Sequence, residues 1–312
     1  MARAVAVSPA GLSSFFEICD TGPDGEPLVE PERIGARGGG FALDVPIRTE
    51  VRVEEAGSPS THVFINGAEE EARTTRAVIE ELLRRADGAF EVVVEHDIPL
   101  PVAAGFGTSG AGALGTALAL SAALGLRLTY NQLGRIAHVA EVECRTGLGT
   151  VGPLMLGGPC VVTVEPGAPG DALIDRIPVP EGLKIASAVF APIETRDVLV
   201  RTLGKERINS AGREALASIL DEPCLEVFME ACRRFALESG LATERTRALM
   251  EALRREGLLC AQNMIGEAVH VAARDEDELE KALAIFKRFL PPEKIYVAPV
   301  SWSGARLELV ER

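Results

Sequence analysis

The stretch Gly105-Phe106-Gly107-Thr108-Ser109-Gly110-Ala111-Gly112 constrains the fold more than any other part of the chain. Before it stand an apolar-rich segment, Phe90-Glu91-Val92-Val93-Val94-Glu95, and the turn Pro99-Leu100-Pro101. After it a run of small residues continues to Leu124. This order predicts a strand, a turn, a glycine-rich loop and a helix from about Ser109 to Leu124. Glycine lets the backbone approach a ligand with no Cβ in the way. The first turn of a helix offers unpaired N–H groups at the positive end of its dipole. Together they make an anion site. Thr108 and Ser109 add hydroxyls, one for a phosphate and one for a magnesium ion, which prefers oxygen ligands. Gly112, Gly115 and Gly125 lie deeper in the run, where close helix packing accounts for them.

The first lysine in the chain is Lys184, followed by Lys205, Lys281, Lys287 and Lys294. A P-loop needs Gly-Lys-Ser/Thr in its glycine loop, and a protein kinase needs a strand lysine shortly after its own. Both are excluded. A net charge of −14 lacks the basic face that nucleic acid requires, so no nucleic-acid partner is expected. No apolar run reaches the ~20 residues of a membrane span. Ala111 to Leu126 carries Thr116 and Ser121 and reads as a buried helix, so no membrane partner is expected either. The segment Met1 to Val7 meets Pro9 too early for a signal peptide, and the expected location is the cytoplasm. Cys19, Cys144, Cys160, Cys224, Cys232 and Cys260 show no Cys-x-x-Cys spacing and read as buried free thiols.

At 312 residues the chain predicts two lobes or one large α/β unit. Val5 to Val7 reads as a short strand, Gly11 to Phe16 as a turn with two aromatics, and Gly22 to Gly40 as a loop. Alternation over Phe41 to Glu54 predicts a strand or hairpin. A helix is expected over about Glu69 to Ala86, with Gly88 at its C-terminal position. Thr129-Tyr130-Asn131-Gln132 has the form of a capping box, opening a helix with Leu133, Ile136, Ala137 and Ala140 in register. Cys160 to Val164 is a strand, and Pro166 to Gly170 a lobe boundary. Strands follow over Leu183–Ala191, Met264–Ala273, Lys294–Val300 and Ala305–Val310. Helices are expected over Asn209–Leu220, Cys224–Glu238, Thr243–Glu256 and Asp275–Leu290. Mixed strand–helix order of this kind is α+β, its sheets covered on one face by helices.

Pro101-Val102-Ala103-Ala104-Gly105-Phe106-Gly107-Thr108-Ser109-Gly110-Ala111 resembles the Pro-x-x-x-Gly-Leu-Gly-Ser-Ser-Ala loop of the GHMP kinases. Two further blocks fit that family in order. Ala137-His138-Val139-Ala140-Glu141, with Gly147-Leu148-Gly149-Thr150 and Gly157-Gly158, is similar to its helix glutamate and following loop. Ala261-Gln262-Asn263-Met264-Ile265-Gly266 sits where its C-terminal glycine motif belongs. The resemblance implies a two-lobed fold, with a ribosomal-protein-S5-like lobe over residues 1–165 and a ferredoxin-like lobe over 166–312. It implies transfer of the ATP γ-phosphoryl to an alcohol, ATP and Mg2+ as cofactors, and a homodimer. Pro101, Gly105, Gly107, Thr108, Ser109, Gly110 and Ala111 would surround ATP, and Ser109 and Glu141 would hold the metal. Glu143, about 200° further round the helix, cannot share that role.

Within the family the blocks are most similar to the archaeal pantoate kinases. Pro9-Ala10-Gly11-Leu12-Ser13-Ser14-Phe15-Phe16 resembles their Pro-x-His-Ile-Thr/Ser-x-Phe-Phe opening, with Gly11 in place of histidine. Gly35 to Phe41, Thr146 to Gly149 and Pro166 to Gly170 also look like theirs. The substrate alcohol implied is the hydroxymethyl group of pantoate. Its carboxylate needs a cation, for which Arg37 beside Gly38 and Arg145 beside Thr146 are candidates. Ser13 and Ser14 could bond its hydroxyls, whereas Phe15 and Phe16 read as core. Ser109, Glu141 and the position of Thr150 form the expected catalytic set. Many relatives carry aspartate where this chain has Thr150, and a threonine is no general base near neutral pH. Either another group serves, such as His138 one turn before Glu141, or no base is used, as a loose transition state permits. Another small alcohol (homoserine, shikimate or a mevalonate-like compound) and a catalytically silent binding protein remain the alternatives.

Overall fold

A computed structural model describes residues 1–192 and 204–311. Its frame is a pair of long antiparallel strands, β1 (Ala2–Cys19) and β2 (Gly35–Glu55). They pair from Ala2↔Val53 to Cys19↔Gly35, with register shifts at Pro9/Ala10 and Ser13/Phe15. The turn expected over Gly11 to Phe16 is therefore strand, and the loop expected to run to Gly40 ends at Gly35. The physical reason lies in how closely the two strands press together. A Cβ on Gly40 would overlap the Leu12 carbonyl oxygen, and one on Gly38 would lie 2.5 Å from that of Phe15. These glycines serve a close backbone approach within a sheet and make no turn.

The sheet is completed by β3 (Ser60–Ile65), β4 (Ala68–Glu69), β5 (Phe90–Asp97), β6 (Val161–Glu165), β7 (Leu173–Arg176) and β12 (Arg306–Glu311). Its order is β12-β1-β2-β5-β3-β4, with β6 on the glycine segment of β2 and β7 on β6. Strands β7 and β12 thus join this sheet from beyond residue 165, β12 along β1. Helix α2 (Thr108–Ala123) packs on β1 and β2 beneath α1 (Arg73–Leu83) and α3 (Tyr130–Cys144). Being covered on all sides, α2 can be apolar all round, and nearly every residue in it is buried. Helix α1 buries Val78, Ile79 and Leu82 and ends at Arg84, short of Gly88. The capping box before α3 forms, with the Thr129 and Gln132 side chains each bonded to the other's backbone N–H.

A second, antiparallel sheet has the order β11-β8-β10-β9, from β8 (Lys184–Pro192), β9 (Cys260–Asn263), β10 (Gly266–Ala273) and β11 (Ile295–Pro299). The strand expected over Met264 to Ala273 begins at Gly266, because Met264 and Ile265 form the tip of a β9–β10 hairpin. Helix α5 (Lys205–Asp221) packs on β1 and on α6 (Leu225–Glu238), while α6, α7 (Glu244–Arg255) and α8 (Glu276–Phe286) pack on this sheet. An aromatic cluster joins the two halves. Phe15 meets Phe228 edge-on at 6.1 Å and Phe235 at 6.3 Å, while Phe41 meets Phe228 at 5.4 Å. Such pairs add roughly 0.5–1.5 kcal/mol each beyond the area they bury. The α+β class is as the element order predicts.

Candidate active site

A cavity of about 650 Å3 opens where several segments meet. Among them are the middle of β1 from Gly11, the glycine segment of β2, the loop before α2, the loop after α3, and the hairpin tip Met264–Ile265. Gly105 and Gly107 sit at φ +81° and +60°, and Gly107 is the residue from which α2 starts. The loop is anchored at Phe106, whose carbonyl accepts the Gly11 N–H (3.1 Å) and whose buried ring meets Tyr296 edge-on at 5.9 Å. The first turn of α2, with Thr108 and Ser109, therefore faces the cavity. Its unpaired N–H groups are of the kind that can receive an anion.

Directly behind this turn lies Glu141 of α3, only 2 % exposed. Its carboxyl accepts a hydrogen bond from the Thr146 hydroxyl at 2.8 Å, and the Ser109 hydroxyl also faces it. Thr146 is in turn 2.9 Å from the Thr74 hydroxyl of α1. Burial pushes the Glu141 carboxyl above its usual range, and the two hydroxyl donors pull the other way. Glycine at 147 makes room for it, since any Cβ there would overlap Glu141 Oε2. The donor set of one hydroxyl and one carboxylate is all oxygen and suits magnesium. Among the described residues no three His, Cys, Asp or Glu side chains gather into a metal-binding group. A cation held here would keep waters and lean on ligand phosphates, as magnesium does.

Ser13, Arg37, Gly38, Gly105, Gly107, Thr108, Ser109, Arg145 and Thr150 all line the cavity. Pro101, Gly110 and Ala111 do not, Ala111 being fully buried inside α2. Ser14 is a correction: it is the extra residue at the register shift between Ser13 and Phe15 and turns away from the cavity. It is fully buried, with its hydroxyl 3.2 Å from His270 Nε2. Arg37 reaches the wall but spends its donors on the Val164 carbonyl (3.0 Å), Glu17 (3.4 Å) and Glu165 (3.1 Å). Arg145 caps α3 at φ 57°, is exposed, and forms no ion pair among the described residues. His138 is no part of the cavity. Its ring is buried, held neutral by desolvation, and bonded to the Ile34 carbonyl at 2.8 Å. Thr150 precedes α4 (Val151–Leu156), and its methyl group packs toward Gly107 and Gly11. Histidine in place of Gly11 would meet Leu154, whose Cδ2 is 3.0 Å from the position of a Cβ there.

Sequence reasoning missed Glu71 and Arg73, which line the cavity just before and at the start of α1 and pair at 2.9 Å. A charged helix start carries no signal that would have singled them out. The edges of Phe15 and Phe16 also reach the cavity, although both rings are core.

Comparison with known proteins agrees with this geometry. The family described as GHMP kinases N terminal domain matches residues 73–158, which contain the glycine-rich loop and Glu141. The pantoate kinase of Thermococcus kodakarensis is 35 % identical over 288 residues, covering 89 % of each chain. The chain belongs to the GHMP kinases. Another relative of this GHMP kinase, the pantoate kinase of Methanocaldococcus jannaschii, is 29 % identical, over 90 % of this chain and 96 % of that one. Among solved structures, a phosphotransferase related to the CoA biosynthesis pathway superposes with a TM-score of 0.84 at 30 % identity, covering 99 % of both chains. Homoserine kinase from Cytophaga hutchinsonii shares the two-lobed fold, with a TM-score of 0.71 at 14 % identity over 98 % of this chain and 97 % of that one.

Proposed function

We propose that this kinase transfers the γ-phosphoryl group of ATP to the hydroxymethyl oxygen of pantoate, giving 4-phosphopantoate for archaeal coenzyme A synthesis. The similarity to curated pantoate kinases along nearly the whole chain supports the substrate. The observation that carries the chemistry is the Ser109 hydroxyl lining the cavity at the open N-terminus of α2, with the buried Glu141 carboxyl directly behind it.

Gly105, Gly107 and the first-turn amides of α2 receive the ATP phosphates, with Pro101, Gly110 and Ala111 shaping the loop from behind. Ser109 and Glu141 hold Mg2+, which when bound neutralises the charge spread over the phosphate oxygens. Glu141 is the right group for this because its burial leaves the carboxylate short of water and in need of a cation. Arg145 takes the substrate carboxylate, since Arg37 is already committed to Glu17 and Glu165. Ser13 bonds a substrate hydroxyl, and Gly38 leaves space beside it. Thr150 supplies no base, and proton loss from the alcohol follows bond formation, as a loose transition state allows. Among the described residues no helix is long and apolar enough to cross a membrane. A cytoplasmic homodimer completes the reading, its oligomeric state open to light scattering.

The test is a coupled assay of ADP release with pantoate, homoserine, shikimate and mevalonate. Turnover of pantoate above the other alcohols is expected, together with a loss of ~100-fold or more in Ser109→Ala. Absence of pantoate turnover, or full activity in Ser109→Ala, overturns the assignment.

A further inference from the structure

Two buried side-chain polar atoms among the described residues lack any partner, Ser187 Oγ and Asn263 Nδ2. Both belong to neighbours of His270. Ser187 faces it across the β8–β10 pairing, and Asn263 Oδ1 lies 3.0 Å from its Nδ1. On the other side of the ring, Nε2 is 3.2 Å from the hydroxyl of Ser14. His270, Asn263 and Ser14 are all fully buried. Among the described residues its hydrogen-bond partners are neutral, and Phe41 meets the ring edge-on at 5.9 Å. Burial holds it neutral, with its pKa pushed down to about 3. A neutral imidazole has one donor and one acceptor, so Nδ1–H donates to Asn263 and Nε2 accepts from Ser14.

What gives this chain of bonds a purpose is where its ends attach. Ser14 follows Ser13, and Asn263 precedes Met264; Ser13 and Met264 both line the cavity. The Met264 N–H donates to the Ser13 carbonyl at 2.8 Å. The hairpin tip and β1 are therefore clasped once at the cavity wall and again behind it. The tip also lies directly against the phosphate loop. A Cβ on Gly105 would come within 2.8 Å of the Met264 carbonyl and 3.0 Å of Asn263 Cβ, and one on Gly266 within 2.6 Å of the Ala104 carbonyl. Ile265, a β-branched residue, is held at φ 60° on that tip. Such a conformation persists only where its surroundings over-determine it.

We propose that Ser14, His270 and Asn263 form a positioning relay that locks the Met264–Ile265 tip and the Ser13 edge against the phosphate loop. None of the three touches the reacting groups; they act through Ser13, Met264 and Gly105. The relay rests on the reading of the cavity as the ATP site for its kinetic consequence, but not for its structural one.

The experiment therefore has two arms, both on the full chain. In the first, amide hydrogen exchange is followed at Gly105–Thr108 and Met264–Gly266 in the parent and in Ser14→Ala, Asn263→Ala and His270→Gln. Exchange in both segments is expected to rise ~10-fold or more in each variant that folds. In the second, kcat and KM are measured for ATP and pantoate. Ser14→Ala and Asn263→Ala are each expected to lower kcat/KM for ATP ~10-fold, with the double variant no worse than the poorer single. Asn263→Asp, which keeps an acceptor on Nδ1, is expected to recover activity and to add an acid limb to the pH profile, because a carboxylate would favour the charged ring. Ser14→Ala is the mildest change and keeps the test decisive if His270→Gln does not fold. Unchanged exchange in folded Ser14→Ala and Asn263→Ala, or kinetic losses that simply multiply, overturns the relay. Absence of ATP turnover by the parent would sink the functional reading, while the exchange arm would still decide the relay.

Discussion

Glu141, the proposed metal-holding carboxylate, carries a cost in stability that follows from its burial. Its carboxyl is buried and accepts only hydroxyl hydrogen bonds, so the folded chain holds its proton more tightly than the unfolded chain does. A raised carboxyl pKa stabilises the fold only at low pH, and the benefit is lost as pH rises through the folded value. Glu141→Gln removes the charge that must be buried at neutral pH. Without nucleotide or metal, this variant is expected to melt higher than the parent at pH 7–8, by at least the ~2–4 °C that 1 kcal/mol represents in a chain of this size. The gain is expected to vanish below the ordinary carboxylate range, where both side chains are neutral, while turnover is lost at every pH. A melting temperature lower than the parent's at pH 8 would contradict the electrostatic account. Thr150 poses the complementary question. A Cβ on Gly110 would meet both Thr150 Cβ at 3.4 Å and Glu141 Oε2 at 3.0 Å, so Thr150→Asp brings a second carboxylate close to the first. A gain in kcat below ~10-fold is expected, because the transition state asks little of a base. A gain of ~100-fold or more would show that general-base catalysis is what the chain lacks. The placement of Ser109 at the cavity was legible because it stands at the head of a helix in a motif with its own spacing. Ser14 was misplaced because the register shift between Ser13 and Phe15, which sets the direction of each side chain, leaves no mark in sequence.

Among elements, those with local causes were readable and those with distant ones were not. The capping box before α3 and the apolar stripe of α1 depend on residues three or four apart. Gly38 and Gly40 depend on Phe15 and Leu12, more than twenty positions away, and so looked like loop glycines. The same distinction separates the glycines of α2. Gly105 and Gly107 shape the loop, whereas Gly112 and Gly115 admit neighbours on β5 and β2. A Cβ on Gly112 would meet the His96 ring at 3.3 Å, and one on Gly115 would overlap the Thr49 hydroxyl. Alanine is favoured over glycine in a helix by ~1 kcal/mol, but overpacking a core costs ~1–3 kcal/mol. Overpacking is the larger effect at Gly115, since Thr49 is itself fixed by a 2.9 Å bond to His96. Gly115→Ala is thus expected to destabilise the protein by ~1–2 kcal/mol in urea unfolding, and Gly112→Ala by less. A stabilised Gly115→Ala would mean that β2 yields more readily than its contacts indicate.

Across the whole molecule, buried histidines fasten elements that are far apart in sequence. His96 on β5 bonds Thr49 of β2 at 2.9 Å and Thr75 of α1 at 3.1 Å. His270 joins β10 to β9 and β1, and His138 ties α3 to the Ile34 carbonyl ahead of β2. Each meets only hydroxyl, amide or carbonyl partners in its hydrogen bonds, so burial dominates and favours the neutral ring. His96 is pushed down to about 4 and His270 to about 3, both from desolvation. For a depressed pKa the stability is present above the unfolded value and is lost as pH falls toward the folded one. Both rings therefore draw stability out of the fold between about pH 6.5 and pH 4, at up to ~1.4 kcal/mol per pH unit each. Carboxylates such as Glu50, held at about 2 chiefly by its hydrogen bond from Arg3, give up their contribution only in stronger acid. Glu141 works in the opposite direction but is a single group. Unfolding free energy is accordingly expected to drop by ~2–4 kcal/mol from pH 7 to pH 5. His96→Gln should be less stable than the parent at pH 7, yet show a shallower decline over the same interval, since one titrating ring is gone. Urea unfolding at half-unit pH steps measures both slopes. Equal slopes for parent and variant would show that His96 is not among the groups that set the acid limit, and a flat parent curve would remove the buried histidines from that role altogether.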